Sequence, residues 1–131
     1  MESVCLDTTF LIDLQRSSRN TYFQRAATWL SNHPRILLKV PSIVLGEFSA
    51  GFEEIDHPEI LAIYQRHEIL PITTKEALLY GNQYRTLKTN GQLIGSNDLW
   101  IAATALANQW PLVTRNVSHF QKIPSLELVD Y

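Results

Sequence analysis

The chain has 131 residues, 45% of them hydrophobic, 18% charged and 10% aromatic, with five glycines and six prolines. That is one domain's worth of chain, with enough apolar material to offset the entropy of ordering, which excludes a disordered or collagen-like polypeptide. Eleven Lys and Arg against thirteen Asp and Glu give a formal charge of −2, which argues against a protein that coats nucleic acid with a broad basic surface.

The first apolar run, residues 4–6, reads as a short buried strand. Its Cys5, the only cysteine, excludes an internal disulfide framework and a cysteine-based zinc site, and is expected as a small buried side chain. Asp7 follows the strand directly and precedes a short helical stretch at residues 10–14, which it could N-cap. Asp13 is expected as a solvated helix residue or a local hydrogen-bond acceptor. Phe23, Ala26, Ala27 and Leu30 then form a helical stripe, and residues 36–40 a second strand. Pro41 and Ser42 mark the next boundary, with Ser42 as N-cap of a helix striped by Val44, Leu45, Phe48 and Phe52. Pro58 suits the first turn of a segment carrying Ile60, Leu61 and Tyr64. Residues 69–72 read as the third strand, and Ala77, Tyr80, Tyr84 and Leu87 as the stripe of a long helix ended by Asn90-Gly91. Gly95-Ser96-Asn97 opens an alanine-rich helix with Leu99, Ala102, Ala103 and Leu106 on one face. Strands at 112–114 and 126–129 complete the chain. Strands alternating with helices imply βαβ units, hence a mostly parallel sheet of about five strands with helices on both faces.

In such sheets ligands collect beyond the carboxyl ends of the strands. Asp7 sits at one such end. Glu47 interrupts an otherwise apolar helix near its buried face, where a carboxylate requires a partner. Asp98 lies at the mouth of the alanine-rich helix, whose dipole favours its charge. Thr114-Arg115-Asn116-Val117-Ser118-His119-Phe120 again places polar groups after a strand. By contrast, Glu53-Glu54 reads as a solvated run, and His33, His57 and His67 as solvated histidines in loop or helix-end contexts. Three separate acids at such places can converge into an oxygen-rich site for Mg²⁺ or Mn²⁺, suited to phosphodiester hydrolysis. Each acid also has a plain reading, as an N-cap, a paired helix acid or a dipole-favoured first-turn residue.

Leu6-Asp7-Thr8-Thr9-Phe10-Leu11-Ile12-Asp13, Gly46-Glu47-Phe48 and Asn97-Asp98-Leu99-Trp100-Ile101-Ala102-Ala103 together resemble the acidic motifs of PIN domains. The ending from Leu112 through Thr114-Arg115-Asn116 to Ile123-Pro124 and Val129-Asp130-Tyr131 resembles VapC-type toxins of toxin–antitoxin pairs. The resemblance spans essentially the whole chain, 1–131, as one nuclease domain. It implies a three-layer α/β/α fold, Mg²⁺- or Mn²⁺-dependent endoribonuclease activity on transfer or ribosomal RNA, a VapB-type antitoxin and a homodimer. By position, Asp7, Glu47 and Asp98 would be the metal-binding acids. Asn116 would join the catalytic set, with Thr8, Thr114, Arg115 and His119 as candidate substrate contacts.

One departure stands out: where the family often has a fourth acid, this chain has Asn116 and His119. Neither supplies a fixed negative charge, so one well-held metal is expected, with a second bound weakly or only alongside RNA phosphate. His119 is read as a packed residue beside Phe120 more readily than as a general acid. Arg115 suits either a phosphate contact or a surface salt bridge. Trp29, Trp100 and Trp110 could pass for base-stacking platforms, but Trp100 reads better as core or dimer interface. Phe23, Phe48 and Phe52 read as core or antitoxin-facing residues.

The rival from another class is a catalytically degenerate PIN-like domain that binds RNA or a protein without cutting. A phosphatase-like use of Asp7 as nucleophile is disfavoured by the lack of a lysine near a strand end. No stretch approaches the roughly 18 apolar residues of a membrane span. Met1-Glu2-Ser3 lacks the basic region of a signal peptide. A cytoplasmic location is therefore expected. Setting aside Asp7, Glu47 and Asp98 leaves ten acids against eleven bases, so the remaining surface sits near +1 rather than −2.

Overall fold

The computed structural model describes residues 2–131; Met1, the first residue of the amino-terminal segment discussed above, lies outside them. Five strands form one parallel sheet: β1 (Ser3–Leu6), β2 (Leu37–Pro41), β3 (Ile69–Leu70), β4 (Leu112–Val113) and β5 (Leu128–Val129), in the order β3-β2-β1-β4-β5. Seven helices connect and cover them: α1 (Thr8–Leu14), α2 (Thr21–Asn32), α3 (Ser42–Ser49), α4 (Pro58–Arg66), α5 (Thr74–Thr89), α6 (Ser96–Asn108) and α7 (Val117–Phe120).

β1 holds the centre because it is apolar on both faces. Val4, Cys5 and Leu6 are all fully buried, the pattern of a strand covered by helices on each side. Burial pushes the Cys5 thiol up to about 12, so it behaves as a small apolar core residue. β1 pairs with β2 in the register Val4 to Leu38, and with β4 in the register Cys5 to Leu112. The chain runs from β1 to β2 to β3 in one direction, then crosses back to place β4 on the other side of β1. The strand order therefore reverses between β1 and β4, and the carboxyl ends of these strands are where sheets of this kind gather ligands.

All five strands lie where the apolar runs predict, several of them shorter. β3 ends at Leu70 rather than residue 72, and Ile72 is exposed. Other boundaries differ for local reasons. Strand β2 pairs through Pro41 with Leu70 and α3 starts at the next residue, so Ser42 is the first helical residue and caps nothing. Helix α3 stops at Ser49, and Phe52 packs on Phe48 from the following turn, with ring centroids 5.1 Å apart. Pro58 does occupy the first turn of α4, whose N-cap is His57 accepting from the Glu59 N–H at 3.1 Å.

The histidines are not simply solvated. Besides capping α4, His57 packs on Phe52; His33 stacks on Trp29 and its Nδ1 lies 2.7 Å from the Trp29 carbonyl; His67 is half-buried. The stripe expected for α5 is only partly a buried face: Leu87 is buried and Tyr80 partly so, while Ala77 and Tyr84 are exposed. What holds α5 to α6 includes the Tyr80 ring stacked on Trp100 at 4.0 Å. Helix α6 is buried nearly all round, with Leu99, Ile101, Ala102, Ala103, Ala105 and Ala107 shielded from solvent. Its small side chains let neighbouring elements approach closely on several sides.

Candidate active site

Asp7 follows β1, and its backbone N–H still donates across the sheet to the Val113 carbonyl at 3.0 Å, fixing it beside the end of β4. Its Oδ1 accepts from the Thr8 N–H at 2.8 Å, capping α1. Its Oδ2 accepts from the Thr9 hydroxyl at 3.0 Å and the Thr114 hydroxyl at 2.7 Å. The side chain is almost without solvent. Burial pushes its carboxyl above the usual range and the nearby Asp98 charge adds to this, against the lowering effect of Thr114, Thr9 and Thr8. The cap and the site acid are thus the same carboxylate.

Thr114 is fully buried. Its hydroxyl donates to Asp7 while accepting from the Asn116 N–H at 2.9 Å. That hydroxyl is committed to orienting Asp7, which leaves it little to offer a substrate. Thr8 is likewise committed: its hydroxyl donates to Glu47 Oε1 at 2.6 Å. Glu47, half-buried on α3, accepts at its other oxygen from Asn97 Nδ2 at 3.3 Å. The partner that a carboxylate on this helix requires is therefore supplied by α1 and by the first turn of α6.

Asp98 stands in that same first turn. Its Oδ2 lies 3.1 Å from His119 Nδ1, and Asn116 Nδ2 lies 3.1 Å from the same nitrogen. One nitrogen cannot serve both at once: it donates to Asp98 when it carries a proton and accepts from Asn116 when it does not. His119 is exposed and turned towards Asp98, while Phe120 beside it is fully buried. The packed histidine expected from the sequence is thus the neighbouring phenylalanine's role alone. The short helix α7, which carries His119, was not foreseen, because four residues are too few to show a period.

Asp13 corrects the sequence reading most sharply. It is fully buried and takes four hydrogen bonds: from Arg115 Nε at 2.7 Å and Nη2 at 3.3 Å, from Arg16 Nε at 2.9 Å and from the Tyr131 hydroxyl at 2.7 Å. Arg115 is therefore engaged in a salt bridge with a core acid, and its guanidinium lies over the Tyr22 ring, 4.0 Å from the centroid. Nothing in the local sequence marks Asp13 as buried, since two of its partners stand more than a hundred positions away. Asn97 was also missed as a side chain that bridges Glu47; its position beside Asp98 was the available signal.

The acids supply hard oxygen donors, which is the chemistry Mg²⁺ or Mn²⁺ selects. Among the described residues no three His, Cys, Asp or Glu side chains converge closely enough to enclose a metal. Asp7 and Asp98 are near enough to repel, whereas Glu47 is joined to the site through Thr8 and Asn97. A pair of carboxylates completed by water is the usual holding for Mg²⁺, so the donor set fits such an ion.

A PIN domain family profile matches residues 4–126. Ribonuclease VapC1 of Haemophilus influenzae strain R2866 is 31% identical over 128 residues, covering 96% of each chain. Ribonuclease VapC2 of Rickettsia felis is 29% identical over 131 residues, with the same coverage. Among solved structures, VapBC2 from Rickettsia felis bound to a promoter DNA fragment superposes with a TM-score of 0.79 at 28% identity, over 98% of both chains. VapBC-1 from nontypeable Haemophilus influenzae gives 0.78 at 32% identity, over 98% of this chain and 97% of that one. The matched span takes in Asp7, Glu47, Asp98 and the Thr114–His119 segment, and the chain belongs to the PIN domain family.

Proposed function

We propose that this protein is a divalent-metal-dependent endoribonuclease, the toxin of a toxin–antitoxin pair neutralised by a VapB-type antitoxin. The observation that carries the reading is the meeting of Asp7 just after β1, Asp98 from α6 and the Thr114–His119 segment after β4 at the point where the strand order reverses. Relatives named as VapC ribonucleases and neighbours solved as VapBC complexes support it. A homodimer acting on structured RNA, with transfer or ribosomal RNA as the substrate class, belongs to the same proposal.

Asp7 and Asp98 would hold Mg²⁺ or Mn²⁺ together with water, with Glu47 adding negative charge beside them through Thr8 and Asn97; the ion would supply charge for the phosphodiester oxygen and a more acidic attacking water. The residues themselves do the rest. Thr9 and Thr114 hold the Asp7 carboxylate in one orientation. Thr8 and Asn97 hold Glu47. His119 Nδ1 stands 3.1 Å from both Asp98 Oδ2 and Asn116 Nδ2, and as general acid it would protonate the departing oxygen. The test is to incubate purified protein with structured RNAs in Mg²⁺ or Mn²⁺, beside EDTA and an Asp98→Ala control. Cleavage confined to the metal-containing wild-type samples is expected; cleavage that persists in EDTA or in the variant overturns the reading.

The open arrangement of the three acids, with Asn116 and His119 where a fourth acid often stands, favours one alternative: a PIN domain that binds RNA or protein without cutting. Calorimetric titration with Mn²⁺ separates the two, because a dead site shows no specific uptake.

A further inference from the structure

We propose that Asp13, Arg115 and Tyr131 act as a positioning unit that locks the segment after β4, and with it Asn116 and His119, into the geometry the reaction needs. The inference rests on the ribonuclease reading and assigns a role to a buried acid which that chemistry does not use.

Arg115 stands between two residues of the site. Thr114 before it holds Asp7, and Asn116 after it shares the His119 nitrogen with Asp98. The Arg115 side chain turns away from that site and is fixed on two sides. Its fork grips both oxygens of Asp13, and its flat face rests on Tyr22. Only a guanidinium makes both contacts, because its donors are coplanar and its face stacks on aromatic rings.

Asp13 is in turn held from several sides. It lies on α1, which begins at the Asp7 cap, and it has no exposure to solvent. Arg16 and the Tyr131 hydroxyl complete its shell. Tyr131 packs edge-on against the buried Phe10 with centroids 4.9 Å apart, and its carbonyl accepts from Arg25 Nε at 2.8 Å. One carboxylate thus ties α1, the segment after β4 and the stretch following β5 to a single point. An exposed ion pair would do little of this, but a carboxylate without water depends on every partner it has. The consequence is functional because small misplacements of a reacting group are costly even when binding is intact.

The test uses two conservative variants, Arg115→Lys and Tyr131→Phe, assayed on an RNA the wild type cleaves and well below every melting temperature. Arg115→Lys keeps the charge but loses the fork, and should lower kcat by about 10–100-fold, the range for residues that orient a site's ligands, with KM changed less than about threefold. Tyr131→Phe removes one donor and should give a smaller loss of the same kind. Amide hydrogen exchange provides a readout independent of turnover. In Arg115→Lys the amides of residues 115–119 should exchange about tenfold faster, with β1 and α6 unchanged. Wild-type kcat together with wild-type exchange in Arg115→Lys overturns the proposal. So does a loss confined to KM, which would make Arg115 a phosphate contact, or exchange that rises equally throughout the fold. Should the wild type cut no RNA, the ribonuclease reading fails by itself, and the exchange pattern still decides whether this unit locks the segment.

Discussion

Two buried aspartates six positions apart have opposite electrostatics, and the difference is the division between function and stability. Burial works against ionisation at Asp13, but Arg115, Tyr131 and Arg16 more than offset it and hold its carboxyl below the usual range. A depressed acid contributes stability that is present above the unfolded value near 3.9 and is lost as pH falls through the folded one. At Asp7 burial wins and Asp98 adds repulsion, so the carboxyl is raised. Its contribution is present below the unfolded value and lost as pH rises through the folded one. In EDTA at pH 7, Asp7→Asn should therefore melt at or above the wild-type temperature while losing activity. Asp13→Asn should melt well below it, by about 3 kcal/mol, the penalty for removing one partner of a buried pair. Thermal melts followed by circular dichroism from pH 7 down to about pH 2 check both: the Asp7 difference should shrink as pH falls towards about 4, and the Asp13 difference should persist to about pH 4 and shrink only below it. Equal effects of the two substitutions at pH 7 would refute this division of roles. It also explains what the sequence shows of each residue. Asp7 is visible because its partners are its neighbours Thr8 and Thr9, and because a strand ends there. Asp13 is hidden because Arg115 and Tyr131 reach it only once the sheet has formed.

At the scale of elements, the apolar runs located all five strands and the helical stripes located most helices, since burial on both faces of a parallel sheet leaves unbroken hydrophobic stretches. What could not be read were features set by neighbours: the ends of strands, the short α7, and which face of α5 meets α6. The alanines of α6 show the reverse case, in which composition announces close packing. Ala102 has no exposure and lies in the main core. Ala102→Leu should cost about 1–3 kcal/mol by overpacking, which a denaturant melt will measure. Because α6 also carries Asp98 and Asn97, its displacement should reduce kcat in parallel with stability. Asp98→Asn should instead lower kcat without lowering the melting temperature. An Ala102→Leu variant with full stability would mean that the helix has room its burial does not suggest.

Across the whole molecule, the formal charge of −2 combines two populations, one of which is brought together by the fold. Parallel pairing of β1 with β4 brings Asp7 beside the segment that follows β4, and α6 delivers Asp98 to the same end of the sheet. The chain thereby accepts repulsion between two carboxylates, a standing destabilisation that a divalent cation would relieve. Anything that binds the folded state alone stabilises it by RT ln(1 + [L]/Kd), about 2.7 kcal/mol at a hundredfold excess over Kd. The melting temperature of the wild type should accordingly keep rising, roughly with the logarithm of the Mg²⁺ or Mn²⁺ concentration above Kd, from a baseline set in metal-free buffer with EDTA. Asp98→Asn should start from a baseline at least as high and gain little from either ion, because the repulsion and the ligand disappear together. The comparison is informative in both directions. A gain that survives in Asp98→Asn would place the ion elsewhere on the surface, and no gain in the wild type would mean that the two acids are held together for some purpose other than a metal.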